Sequence, residues 1–200
     1  MTFTMAHDVT LYLMTFAVLF ATYIIVERAL YFGAILREGK QVDEYLRAHG
    51  RDEALQTELL EKFGTCRGPQ ASVLSAVAQA GHLPHNEMEY FVQSAYISRQ
   101  DMLNKRLWIL DTIVTLSPLM GLLGTILGII DAFHSLSSGQ GAADPAGVSR
   151  GIGTALFATG FGIFIALYSM AFYNYFSNKV EQVNNQIKLI SLTFLANRRS

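Results

Sequence analysis

The chain is 200 residues long and only 16% of it is charged, against about a quarter in an average globular protein. Three stretches carry no Asp, Glu, Lys or Arg at all: 18 residues from Val9 to Val26, 19 from Thr112 to Ile130 and 28 from Gly151 to Asn178. That distribution argues against a soluble enzyme with one buried core. The net charge of −1 gives no electrostatic footprint for nucleic acid, and the single cysteine, Cys66, excludes an intrachain disulfide framework or a Cys-cluster metal site.

A helix rises about 1.5 Å per residue, so the three stretches reach roughly 27, 28 and 42 Å against a hydrocarbon core of about 30 Å. Each can cross a bilayer, and the third overshoots it. The prediction is an all-α polytopic membrane protein with three transmembrane helices, two of them extended into long cytoplasmic helices. Its segments are a first span with its flanks (1–36), a cytoplasmic helical segment (37–106), the second and third spans with a short outer loop (107–178) and a cytoplasmic C-terminal helix (179–200).

The first span is expected to stay in the membrane. Met1 to Asp8 lacks the basic residues of a secretory signal, and no small-residue cleavage pattern follows. Tyr12, Tyr23, Tyr31 and Phe32 lie near its ends, where aromatic rings favour the headgroup layer, and Glu27-Arg28 marks its exit. From Arg37 to Phe63 the chain is rich in helix formers, with a partial apolar stripe at Val42, Leu46, Leu55, Leu59 and Phe63. Gly64 to Pro69 breaks this helix, Gln70 to Ala80 resumes it, and Gly81 to His85 breaks it again.

No Gly or Pro occurs between Asn86 and Pro118. The sequence therefore predicts one helix from an Asn86 cap into the second span, about 50 residues long. Past Asn178, Val180, Val183, Ile187, Ile190 and Phe194 recur in alternating steps of three and four, the heptad pattern of a packed helix. Ser137 to Gly147 reads as a turn-rich loop.

Ten Lys and Arg fall between Glu27 and Arg106 and four follow Asn178, leaving only Arg150 for the other side. The positive-inside rule then places the long segment and the C-terminus in the cytoplasm and the N-terminus outside.

Enzymatic motifs are not visible. Gly139-Gln-Gly141 and Gly151-Ile-Gly153 lack the third glycine and preceding strand of a dinucleotide loop, and no phosphate-binding G-x-x-x-x-G-K-[ST] occurs. His82 and His85 flank Pro84 without further ligands and read as a solvated loop rather than a metal site. No cofactor, no metal and no catalytic residue is expected.

The informative residues lie inside the spans. Ser117, Gly121, Gly124, Gly128, Asp131 and Ser135 give the second span one small and polar face, with Thr125 beside it. Thr154 or Ala155, Ala158, Thr159, Gly162, Ala166 and Ser169 do the same for the third. Such faces let helices pack closely, as in Gly124-x-x-x-Gly128, with Thr hydroxyls bonded back to their own helices. Alternatively, small faces from several copies line a cavity in which Thr125 and Thr159 meet water, ions or a partner helix.

Pro118-Leu-Met-Gly-Leu-Leu-Gly-Thr-Ile-Leu-Gly-Ile-Ile130 with Asp131-Ala-Phe133, and Gly151-Ile-Gly-Thr-Ala-Leu-Phe-Ala-Thr-Gly-Phe-Gly162 with Tyr173-Asn174, resemble the second- and third-span motifs of the MotA/TolQ/ExbB proton-channel family. The resemblance is closer to the ExbB and TolQ branch. It implies a homopentamer in the inner membrane of a Gram-negative bacterium, surrounding single-span subunits of the ExbD or TolR kind. That partner brings a membrane-embedded Asp, and a TonB- or TolA-like protein is a further possible partner. Thr125 and Thr159 match the threonines that face the partner; Thr154 and Ser117 are further candidates for the ion pathway, and Asp131 reads either as an entrance carboxylate or as a helix-end acid at the outer headgroup layer. Pro118, Gly121, Gly124, Gly128, Ala158 and Gly162 are implied as packing residues.

One departure from the family pattern stands out. ExbB and TolQ proteins usually carry Glu where this chain has Thr154. The expectation is thus a channel-forming subunit of an ion-driven motor that energises outer-membrane transport or envelope work. Its alternatives are a stator of a gliding or other motility motor, sodium-driven in one version, and a non-conducting scaffold.

Overall fold

The structure, a computed structural model, describes residues 3–49, 68–70, 73, 87, 90, 93–94, 97–98, 102–137 and 145–197. Three long helices carry most of them: α1 (Phe3–His49), α2 (Leu107–Ser137) and α3 (Pro145–Asn197). Each contains a stretch long and apolar enough to cross a membrane, within His7–Gln41, Leu107–His134 and Pro145–Leu189. The chain is a multi-pass helical membrane protein. No strand occurs among the described residues.

α1 runs unbroken across residue 36, where the expected first segment meets the expected cytoplasmic helical one; no proline interrupts it, and Gly33 and Gly39 are its only glycines. Two helix starts differ from expectation, those of α2 and α3. The helix predicted to run from Asn86 through the second span is instead interrupted. Lys105 and Arg106 form a turn, Arg106 adopts a left-handed φ of 68°, and the Ile109 N–H donates to the Arg106 carbonyl at 3.1 Å as α2 begins. A non-glycine residue in that region costs about 1–2 kcal/mol, and neither Gly nor Pro marks the place. The long extended helices are therefore the first and third, at 47 and 53 residues, and the second starts at Leu107. At the other connection α3 begins on Pro145, whose fixed φ and missing N–H suit a first helical position. The last three residues of the expected loop are thus helix.

The chain divides into two units, each built from two segments. The first comprises Met1–Val26 and Arg106–Tyr175. Its core takes Met14, Ala21 and Ile24 from α1, Leu110, Ile113 and Ala132 from α2, and Ala155, Ala158 and Ile165 from α3, all buried at helical spacing. Many other large apolar residues point outward: Phe16, Leu19 and Tyr23, Leu119, Leu122 and Phe133, Phe157, Phe164 and Leu167 are exposed. Small residues at the closest helix contacts and large ones facing out is how helices pack in lipid, where no hydrophobic gain separates helix from solvent.

The second unit comprises Glu27–Lys105 and Phe176–Ser200. Phe32 stacks on Phe176 at 5.8 Å between centroids, and Val180, Val183 and Ile187 are buried, bearing out the heptad reading of this part of α3. Arg28 is buried, with its Nε 3.8 Å from a Glu27 oxygen and its guanidinium 5.1 Å from the Tyr31 ring centre. Gln70 is buried too and donates from Nε2 to Gln186 Oε1 at 3.1 Å. The side chains of Val42, Leu46, Leu55, Leu59, Phe63, Ile190 and Phe194, and the whole of Cys66, His82 and His85, lie outside the described residues.

Candidate functional site

The small faces of α2 and α3 pack against each other, antiparallel, within one subunit. Helical spacing puts the small residues in rows, with Ser117, Gly121, Gly124 and Gly128 in one and Gly151, Ala155, Ala158 and Gly162 in the other. A Cβ placed on Gly128 would stand 2.7 Å from Ala155 Cβ, and one on Gly124 would stand 2.7 Å from Ala158 Cβ. On Gly121 it would meet the Ala158 carbonyl and Thr159 Cα at 3.0 Å, and on Gly162 the Ser117 carbonyl at 2.5 Å. At Gly121 and Gly162 backbone meets backbone, and at Gly124 and Gly128 it meets an alanine methyl, a closeness that small residues permit. Pro118, half-buried beside Ser117, lies within α2 without ending it.

The register also separates residues that the sequence left together. On α3 it is Ala155, buried, that joins the face; Thr154 is exposed and its hydroxyl donates back to the carbonyls of Arg150 and Gly151, at 3.2 and 3.0 Å. On α2 the row continues through buried Ala132, which faces Gly151, while Asp131 is half-buried beside it. Ser117 is buried and bonds the Ile113 carbonyl at 2.6 Å. The side chain of Ser135 is not among the described residues.

Thr125 and Thr159 are brought together at the edge of this seam. Their hydroxyl oxygens lie 2.8 Å apart, and both residues are half-buried. Thr159 Oγ1 reaches the Gly121 carbonyl at 3.0 Å, and Thr125 Oγ1 reaches the carbonyls of Gly121 and Leu122 at 3.1 and 2.9 Å. Two protons serve this set of acceptors, so the pair has several hydrogen-bond arrangements with the same heavy-atom positions. When both hydroxyls donate to backbone, their oxygens keep lone pairs for a cation, a water or a protonated carboxyl.

One buried polar residue of this unit carried no sequence signal. His7, on the first turns of α1, is only 8% exposed and its Nδ1 lies 3.3 Å from the Gly124 carbonyl. Nothing about an isolated His before a charge-free stretch announces a partner 117 positions away. Thr10, one turn further and also buried, lies against Gly124 as well. Among the described residues no group of three or more His, Cys, Asp or Glu could hold a metal.

Comparison with known proteins places these motifs. The model of the MotA/TolQ/ExbB proton channel family matches residues 66–189. A relative from Synechocystis sp., named as an ExbB-like biopolymer transport protein, is 31% identical over 186 residues, covering 88% of this chain and 87% of its own length. An ExbB homologue from Methanothermobacter thermautotrophicus is 29% identical over 133 residues, 66% of this chain, and the match covers about half of that longer relative, 47%. The Tol-Pal system protein TolQ of Pseudomonas aeruginosa is 40% identical over 88 residues, 44% of this chain and 38% of its own.

Proposed function

Because the chain belongs to the MotA/TolQ/ExbB proton channel family, on its ExbB/TolQ branch, we propose that it forms the channel of an inner-membrane complex driven by the proton motive force. It is a proton-channel-type membrane subunit of the energy-transducing kind. In the proposed complex it assembles as a homopentamer around an ExbD- or TolR-like single-span subunit. Ion flow is then coupled to outer-membrane transport or other envelope work, through a TonB- or TolA-like protein. The N-terminus lies outside and the C-terminus in the cytoplasm.

The observation that carries this reading is the Thr125–Thr159 hydroxyl pair. The glycine and alanine rows are consumed by packing within the subunit, so they do not themselves line a pore. The two threonines at their edge are polar, half-buried and uncharged. A hydroxyl both donates and accepts, so the pair can solvate a proton-carrying carboxyl or a partly dehydrated cation without fixing a charge in the membrane. In both α2 and α3 the central stretch lacks any acid or base. α2 and α3 therefore bring no carboxylate to that level, and in this reading the partner's Asp supplies it.

Thr159→Val tests the reading. Valine keeps the shape and removes the hydroxyl, so assembly is expected to survive while partner-dependent proton flux is lost. Normal flux with normal assembly would remove Thr159 from the pathway. A second reading, a sodium-driven stator of a motility motor, is favoured by Thr154 in place of the Glu that ExbB and TolQ proteins usually carry. Its signature is flux that follows the sodium gradient. A complex that assembles with the partner and passes neither ion would mark a scaffold.

A further inference from the structure

Three helices converge at Gly124. A Cβ placed on Gly124 would meet Ala158 Cβ of α3 at 2.7 Å and Thr10 Cγ2 of α1 at 3.9 Å, and its carbonyl receives the imidazole of His7 at 3.3 Å. Thr125 follows Gly124 and Thr159 follows Ala158, so the hydroxyl pair lies one residue further along both helices. A carbonyl oxygen only accepts, so His7 Nδ1 must carry the proton of that contact. The neutral ring then presents Nε2 as a lone pair. This Nε2 is buried and has no hydrogen-bond partner among the described residues. Among the described residues of this unit, His7 is also the only titratable side chain that is buried.

We propose that His7 is a proton-accepting residue of the channel, with Nδ1–H anchored on the Gly124 carbonyl and Nε2 taking up and releasing the translocated proton. In uptake a hydronium at the aqueous end loses an O–H bond as the Nε2–H bond forms, leaving water; release reverses both changes. The proposal rests on the channel reading, whose orientation puts the start of α1 on the side from which the proton motive force drives protons inward. Protonated Nε2 becomes a donor that needs an acceptor, so the imidazolium calls for a water or the partner's carboxylate and then passes its proton on. The Gly124 carbonyl that anchors the ring belongs to the residue before Thr125.

Among the described residues, the charged groups on the stretches of the three helices flanking this contact are these. On α1, Asp8 is exposed beside His7; on α2, Asp131 is half-buried and His134 exposed; on α3, Arg150 is exposed. Beyond Arg150, α3 has no charged residue until Lys179.

The test uses the full chain in lipid. Replacing His49, His82, His85 and His134 with asparagine leaves His7 as the only imidazole, and its ring nitrogens are followed by 15N magnetic resonance from pH 5 to 8. The expected result is a neutral form protonated on Nδ1 and an Nε2 signal that titrates. A neutral ring protonated on Nε2, or an Nε2 that stays silent over that range, overturns the proposal. In the second arm, proton flux through the complex with its native partner is measured over the same range. His7→Asn retains an N–H for the Gly124 carbonyl and does not titrate, so it is expected to lose one titration step from the flux profile while assembling normally. An unchanged profile overturns the role of His7 and leaves the channel reading intact. Absence of flux in the wild-type complex overturns the channel reading itself, whatever the nitrogen spectra show.

Discussion

Gly160 and Gly162 stand two residues apart in α3, yet a methyl group means opposite things at each. At Gly162 it would sit 2.5 Å from the Ser117 carbonyl and 3.1 Å from Gly121 Cα, so two backbones would have to separate. At Gly160 it would meet nothing within 4 Å. Gly162→Ala is therefore expected to lower stability by about 1–3 kcal/mol through overpacking. Gly160→Ala is expected to be neutral or to raise stability by up to about 1 kcal/mol, the difference in helix propensity. Thermal unfolding of the two variants in the same detergent checks the order, and equal effects would contradict the seam. The period of the small residues made this face legible in the sequence. What it left open was a matter of one residue in register: Thr154 against Ala155, and Asp131 against Ala132. A helical step turns about 100°, so that choice decides whether a side chain enters the seam or leaves it, and only the facing helix settles it. His7 was not legible at all, because its signal consists of a contact with a residue 117 positions away.

At the scale of the helices, apolar length and charge spacing were enough to locate three spans, and the heptad steps past Asn178 were enough to extend the third. The start of the second was hidden because its break is conformational rather than compositional. Arg106 holds a left-handed φ of 68° in a sequence with no glycine or proline nearby to announce it. Such a position favours glycine and penalises β-branched residues most. Arg106→Gly is accordingly expected to stabilise the chain by about 1 kcal/mol, and Arg106→Val to destabilise it by a similar amount or more. The comparison is a denaturation midpoint for each variant against the wild type. If Val were tolerated as well as Gly, the residue would be helical and the predicted continuous helix would stand. The opposite terminus shows the complementary case: Pro145 is a compositional mark, but proline is as common in loops as at first helical turns, so its sequence reading stayed in the loop.

For the whole molecule, the two ends of each span must face different aqueous compartments, and the basic residues are divided fourteen to one between them. That asymmetry is a property of the whole chain, since no single Lys or Arg fixes a topology. In the proposed orientation Ser149, exposed in the first turns of α3, faces the outer side and Cys66 the cytoplasm. The single native cysteine makes the assignment easy to test. In intact cells a membrane-impermeant maleimide is expected to label a Ser149→Cys, Cys66→Ser chain and to leave the wild-type chain unlabelled. Unsealing the membrane is the control for whether Cys66 reacts. Labelling of Cys66 from outside together with protection of position 149 would invert the molecule. It would also move His7 and the start of α1 to the cytoplasmic side, so that protons would reach the Thr125–Thr159 pair before the histidine rather than after it.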